Sequence, residues 1–325
     1  MDKTESKLLF FVTLVFFCIA IWKFYWKFQL MFNSSYLFLY TPEWFPIVNE
    51  KVYKIKVDSG TLYAKTQKIV IAGLLRNCRE NIPTIIKRVE RLGETFKDYR
   101  VLIVENDSSD GTRQALLAWA KKNSKVTILG CGRNSQRCFL RLPPTQGHSV
   151  DRKRIEKMAY LRNIYLKEVR LRFSDFDYLA VWDMDIIGSV YLDGIFNTMS
   201  YFKTEPDLTA MCAYGIYQWG PLRLYYDTYA TLEKGDNFHI QTKLLHDLYK
   251  GISMQFQRGE PPVPVLSCFS GFTIYKLSAL SGQYGTTPKD DPTKNLECEH
   301  VYFHRQLPGK IKMNPSMIHL VILND

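Results

Sequence analysis

Four short runs of nearly unbroken apolar residues, each stopped by polar or acidic ones, constrain this chain most. They are KIVIAGLL at 68–75, YRVLIVEND at 99–107, KVTILG at 125–130 and DYLAVWDMDIIG at 177–188. Runs of this length without polar alternation suit strands buried on both faces. Between the first two, Ile82, Ile85, Ile86, Val89 and Leu92 recur at helical spacing behind Asn81, a residue able to cap the helix. Asp110 can cap a second helix, GTRQALLAWAKKN. Ile155, Met158, Leu161, Tyr165 and Val169 mark one face of a third, from Asp151 to about Phe173. A β-α-β-α-β alternation predicts an α/β fold: a mostly parallel sheet flanked by helices. After Ser200 the pattern reads as aromatic-rich loops and short elements.

The amino terminus has a different texture. Residues 8–22, LLFFVTLVFFCIAIW, carry no charge, and Lys23 and Lys27 interrupt the aromatic stretch that follows. A helix of about 20 residues spans a bilayer, and lysines at its end can reach the headgroups. The pattern predicts a short tail at 1–7, a single-pass transmembrane anchor at 8–28, a stem at 29–65 and a main folded domain at 66–325, divided near residue 188. Lys3 and Lys7 balance Lys23 and Lys27, so charge leaves the orientation open, and an ER- or Golgi-type membrane or a viral or host internal membrane would suit. Asn33 and Asn106 both open glycosylation sequons. Seven cysteines show no metal-binding spacing and fit either disulfides or free core thiols. The 43 Lys and Arg outnumber the 32 Asp and Glu, a balance that points to an anionic partner. Cationic residues crowd DRKRIEKMAYLRNIYLKEVRLR, but its tyrosines share the apolar face, which argues against a nucleic-acid surface.

The chemistry gathers where the strands end. Asp183 and Asp185 leave the fourth run two residues apart, so their carboxylates can share a face and a cation. Mn²⁺ or Mg²⁺ held by such a pair completes its shell with substrate phosphates. A second D-x-D, Asp175 and Asp177, precedes the strand and reads as a solvated turn. Glu105 and Asp107 end the second run, and Arg76 and Asn77 the first, so three strands deliver polar groups to one rim.

The ordered set IAGLLRN, VENDSSDGT, YLRN and DYLAVWDMDI resembles the nucleotide-sugar half of GT-A fold glycosyltransferases. Within that fold it is most similar to the cryptococcal capsule-associated mannosyltransferase-like family and its relatives in large DNA viruses, over roughly residues 66–305. The resemblance implies a nucleoside-diphosphate sugar as donor, a glycan or other hydroxyl as acceptor, and a divalent cation. It implies that Arg76, Glu105 and Asp107 contact the nucleoside, that Arg162 and Asn163 lie near the donor, and that Asp183 and Asp185 serve ribose and metal. Gly271 in SCFSGFTIYKLSAL would let backbone approach the donor. His304 and His319 are available as a third metal ligand. Glu299 is the candidate general base, and Trp219, Tyr226 and Asp227 could form an acceptor subsite. A metal-dependent nucleotidyl or phosphoryl transferase, or a non-catalytic sugar-binding protein, could use the same rim.

Overall fold

The structure, a computed structural model, describes residues 13–15, 17–18, 45–130, 151–186, 188, 190–219, 222–235, 249–288 and 296–321. The expected anchor at 8–28 lies almost wholly outside the described residues. Among those described, no helix is long and apolar enough to cross a membrane.

All four apolar runs are strands. β1 (Lys68–Leu75), β2 (Asp98–Glu105), β3 (Val126–Leu129) and β4 (Tyr178–Trp182) pair in parallel in the order β3-β2-β1-β4. The remaining strands are β5 (Leu208–Trp219), β6 (Leu222–Tyr225), β7 (Val263–Val265), β8 (Phe272–Lys276) and β9 (Lys310–Val321). β8 joins the parallel half by running antiparallel between β4 and β5, and β9 pairs parallel with β5. β7 and β6 add antiparallel edges. The sheet is therefore mixed rather than mostly parallel, and it runs unbroken through both halves of the expected domain.

The sequence after Ser200 is also more regular than expected, because β5 and β9 are twelve residues each. Tyr, Gly, Gln, Asn, Pro and His interrupt their apolar patterns. Two bulge-like shifts in their pairing break the alternation further.

The helices are α1 (Glu50–Ala64), α2 (Ile82–Gly93), α3 (Thr112–Lys122), α4 (Arg152–Arg172), α5 (Leu192–Thr204) and α6 (Glu299–His304). Alternate residues of β1 feed two cores. Val70 and Ala72 meet Leu161, Tyr165 and Val169 of α4, whereas Ile69 and Ile71 join Ile85, Val89 and Leu92 of α2. Asp151 caps α4 by accepting from the Arg154 N–H at 2.9 Å. Asn81 does not cap α2 with its side chain, since a 3-10 turn at Arg79–Asn81 leads into that helix.

Part of the expected stem belongs to the domain. α1 packs on α5 so closely that a Cβ on Gly60 would meet the Phe196 carbonyl. Tyr53 donates to Asp193 at 2.8 Å, Arg258 pairs with the same carboxylate, and Phe45 is buried in the core. The folded unit thus includes Phe45 and α1, upstream of the boundary expected at 66. Cys212 and Cys268 form a disulfide, while Cys78 and Cys298 are buried free thiols. Cys131 and Cys138 lie outside the described residues.

Candidate active site

In the parallel half the chain runs outward from β1 through β2 to β3, then crosses back to place β4 on the other side of β1. A crevice opens at such a reversal, beyond the carboxyl ends of the strands. β1 delivers Leu75-Arg76-Asn77 to that edge and β4 delivers Trp182-Asp183-Met184-Asp185. Asp183 is held by its backbone, whose N–H donates to the Gly271 carbonyl at 2.8 Å. Asp185 is exposed at the rim.

Beneath the pair lies Arg162 of α4, only 2% exposed. Its Nη2 donates to Asp183 at 3.2 Å and its Nε to Glu299 at 3.1 Å, and its guanidinium rests 4.9 Å from the Phe269 ring centre. Nη1 is buried without a hydrogen-bond partner. One cation therefore serves several carboxylates, because Asp227 also faces this group. Burial drives the Asp183 carboxyl up to about 6, against the pull of Arg162 and with a push from Asp185. Asp227 is driven to about 7, again mainly by burial, with Asp183 and Glu299 adding to it and a hydrogen bond from the Ser270 N–H opposing. A carboxyl poised near neutrality in a cleft suits a proton acceptor. The Tyr226 ring lies in the same field as Asp183, Asp185 and Asp227.

Several expected donor contacts have other duties. Glu105 is 1% exposed, accepts from the Ser108 N–H at 2.7 Å and forms a buried ion pair with Arg113. Both partners hold the loop in shape. Asn77, in the left-handed region (φ 49), accepts from the Ser109 N–H at 2.9 Å and clamps the β1 loop to the β2 loop. Asn163 exchanges two hydrogen bonds with the Tyr284 backbone, each 2.9 Å, so it pins a loop. Gly271, at φ 73, is required for a different neighbour: a Cβ there would lie 2.6 Å from the His319 ring. Arg76 and Asp107 do reach the open rim, where both act on Lys157 of α4. Sequence reasoning missed Lys157, whose only signal was its place in a cationic helix. Trp219 ends β5, and its side chain lies outside the described residues.

Glu299, the expected base, has an arginine and a thiol as partners. It is buried at the start of α6, one oxygen on Arg162 and the other accepting from the Cys298 thiol at 3.5 Å. The two histidines separate cleanly. His304 has Nδ1 on Ser267 at 2.9 Å and Nε2 on Tyr275 at 2.8 Å, leaving no lone pair for a metal. His319 lies fully buried with Nδ1 at 2.8 Å from the Ser270 carbonyl, which can only accept, so the proton is on Nδ1. Burial holds its pKa down at about 4, and Nε2 keeps an unpartnered lone pair. Asp175 pairs with Lys68 at 2.7 Å at the opposite end of β4, as a surface turn.

Among the described residues, no group of three or more His, Cys, Asp or Glu side chains is placed to hold a metal ion. Two carboxylates and a neutral imidazole nonetheless match the ligand types of Mn²⁺, with Mg²⁺ satisfied by the oxygens, and both ions commonly leave positions for substrate phosphates.

A sequence search of curated proteins returned no match. Among solved structures, the chain is similar to the mannosyltransferase PcManGT from Pyrobaculum calidifontis, solved with GDP-Man and Mn²⁺ (TM-score 0.43, 11% identity, covering 85% of this chain and 66% of that one). It is also similar to S. aureus TarS 1–349 (TM-score 0.44, 12% identity, 78% and 60%) and to the same fragment with UDP-GlcNAc (0.45, 12%, 79% and 60%). This chain thus spans less than two thirds of the length of each of those chains. Residues 68–306 match the family model described as Cryptococcal mannosyltransferase 1, and the chain belongs to that family of glycosyltransferases.

Proposed function

We propose that this glycosyltransferase moves a hexosyl group, mannose being the first candidate from its family, from a nucleoside diphosphate to a hydroxyl of a glycan. The observation that carries this reading is the meeting of Asp183, Asp185, Arg162 and Asp227 at the sheet reversal. Asp183 and Asp185, with His319 through its free Nε2, would hold Mn²⁺ or Mg²⁺. A bound divalent ion supplies neutralising charge for the departing diphosphate.

The protein's own groups do the rest. Arg162 keeps Asp183 oriented and limits the repulsion among three neighbouring carboxylates. Arg76, Asp107 and Lys157 offer polar contacts to the nucleotide at the neighbouring strand ends. Asp227 takes the acceptor hydroxyl proton as its oxygen bonds to the sugar carbon, and the bond from that carbon to the diphosphate breaks. Asp227 is preferred to Glu299 because its carboxyl is poised near 7 at the rim, whereas Glu299 is committed to Arg162.

The apolar run at 8–28 would anchor the enzyme in a membrane. Cys212–Cys268 favours a domain on the oxidising side of that membrane, where such bonds persist. The Asn106 sequon does not oppose this placement, because Asn106 is buried in the folded loop and offers no open acceptor.

Release of nucleoside diphosphate from a panel of nucleotide sugars, with and without Mn²⁺, tests the reading. Asp185→Asn should abolish metal-dependent turnover and Asp175→Asn should not. If Asp175→Asn silences the enzyme while Asp185→Asn leaves it active, the site lies elsewhere.

A further inference from the structure

α1 turns one side to α5 and leaves another uncovered. Val48, Val52, Ile55 and Leu62 are 41%, 44%, 60% and 67% exposed. Their spacing of four, three and seven residues puts them in a single stripe along the helix and its entry. Lys51, Lys54 and Lys65 are exposed along one border of that stripe, where Asp58 is the one acidic residue between them. Elsewhere among the described residues, the exposed large apolar side chains are Leu14, Val15 and Phe17 of the apolar run, Tyr160 and Leu171 three turns apart on α4, the pair Tyr249 and Ile252, and Leu266. A stripe of this kind is the pattern of a helix lying in a membrane interface, apolar side down and lysines reaching to headgroups.

We infer that α1 rests on an anionic bilayer surface and fixes how the catalytic domain sits over the membrane. The inference rests on the proposed anchoring and extends it. Three observations select a bilayer as the occupant. Only 21 residues separate Phe28 from Glu50, so α1 stays within about 75 Å of the end of the apolar run even at full extension. The lysine border matches acidic headgroups, as does a formal charge of +11. Four aliphatic side chains offer roughly half or less of the ~800 Å² per partner that a stable dimer buries.

The full-length protein, reconstituted in phosphatidylcholine vesicles with or without phosphatidylserine, tests this with a photo-crosslinking p-benzoylphenylalanine placed at Ile55, at Leu62 or, as a control on α3, at Lys121. Mass spectrometry of the adducts should find phospholipid attached at positions 55 and 62, several-fold above position 121. Replacing Lys51, Lys54 and Lys65 together by Glu should lower that yield roughly fivefold or more in the phosphatidylserine vesicles. Adducts to a second copy, adducts to residues 8–32 of the same chain, or equal lipid labelling at all three positions would each overturn the inference. Alkaline carbonate extraction reads the anchor separately. Protein retained without lipid adducts sinks the α1 contact alone, and protein released while the adducts persist in neutral buffer sinks the anchor alone.

Discussion

Replacing Arg162 by Met is the most informative single change, because the arginine balances more negative charge than any other buried group here. It is 2% exposed and bonded to Asp183 and Glu299, with Asp227 in the same field. Met roughly fills the volume and keeps contact with Phe269, so lost packing is the smaller part of the effect. Removing one partner of a buried ion pair costs about 3–5 kcal/mol, since the abandoned charge remains buried. For a domain of this size that corresponds to a fall in Tm on the order of 10 °C.

The deficit must also depend on pH. Without Arg162 the Asp183 and Asp227 carboxyls titrate even higher than now, so the folded state holds more protons than the unfolded one above about pH 4. Stability then falls as pH rises through the neutral range. Thermal unfolding followed by tryptophan fluorescence at about pH 5 and about pH 8 should show a small deficit at the first and a large one at the second. Arg162→Lys, which keeps the charge but loses the two-pronged contact, should recover most of the stability and little of the turnover. A Met variant as stable as the parent at the higher pH, or equally impaired at both, would refute this account of the site.

Other expectations follow from the same geometry. Glu105→Gln should destabilise the fold by about 3 kcal/mol through the abandoned Arg113, while calorimetry on the folded protein finds nucleotide affinity within about threefold of the parent. The rate of sugar transfer should rise with pH along a limb centred between about 6 and 7, where Asp183 and Asp227 lose their protons, and Asp227→Asn should remove most activity without weakening donor binding. His319→Ala should weaken the Mn²⁺ requirement curve by roughly tenfold or more, as loss of a ligand does. His304→Ala should leave that curve in place and lower Tm, since both its nitrogens serve the core.

The first half of the fold was legible because its strands are buried on both faces and its helices are amphipathic. Hydrophobic pattern alone then specifies β1 to β4 and α2. The second half was not, because β5 and β9 carry interior polar residues whose partners are far away in sequence. Asn314 donates to Asn197 and Thr198 across 117 and 116 residues, and no local pattern announces such a pair. The same limit governed the site. Asp183 and Asp185 could be read from their place at a strand end. The fate of Glu105 depended on Arg113, eight residues on, which reads as an ordinary helix cation until it is seen buried. His304 and His319 look alike in sequence, and only their partners tell them apart.

The reassignment of the base from Glu299 to Asp227 has a physical logic that reaches beyond one residue. A buried carboxylate bonded to a guanidinium has an oxygen committed to that bond, and a proton delivered to it must compete with the arginine. A carboxyl that is partly buried, bonded only to one backbone N–H and crowded by other acids has the opposite character: it accepts a proton near neutral pH at little cost. Arg162 thus divides the acidic group into two kinds. Asp183 and Glu299 are each bonded to the guanidinium, while Asp227, which it influences with no ion pair among the described residues, is driven up to about 7. Such a division suits displacement of a diphosphate, in which groups on the donor side must be held in place while a proton moves on the acceptor side.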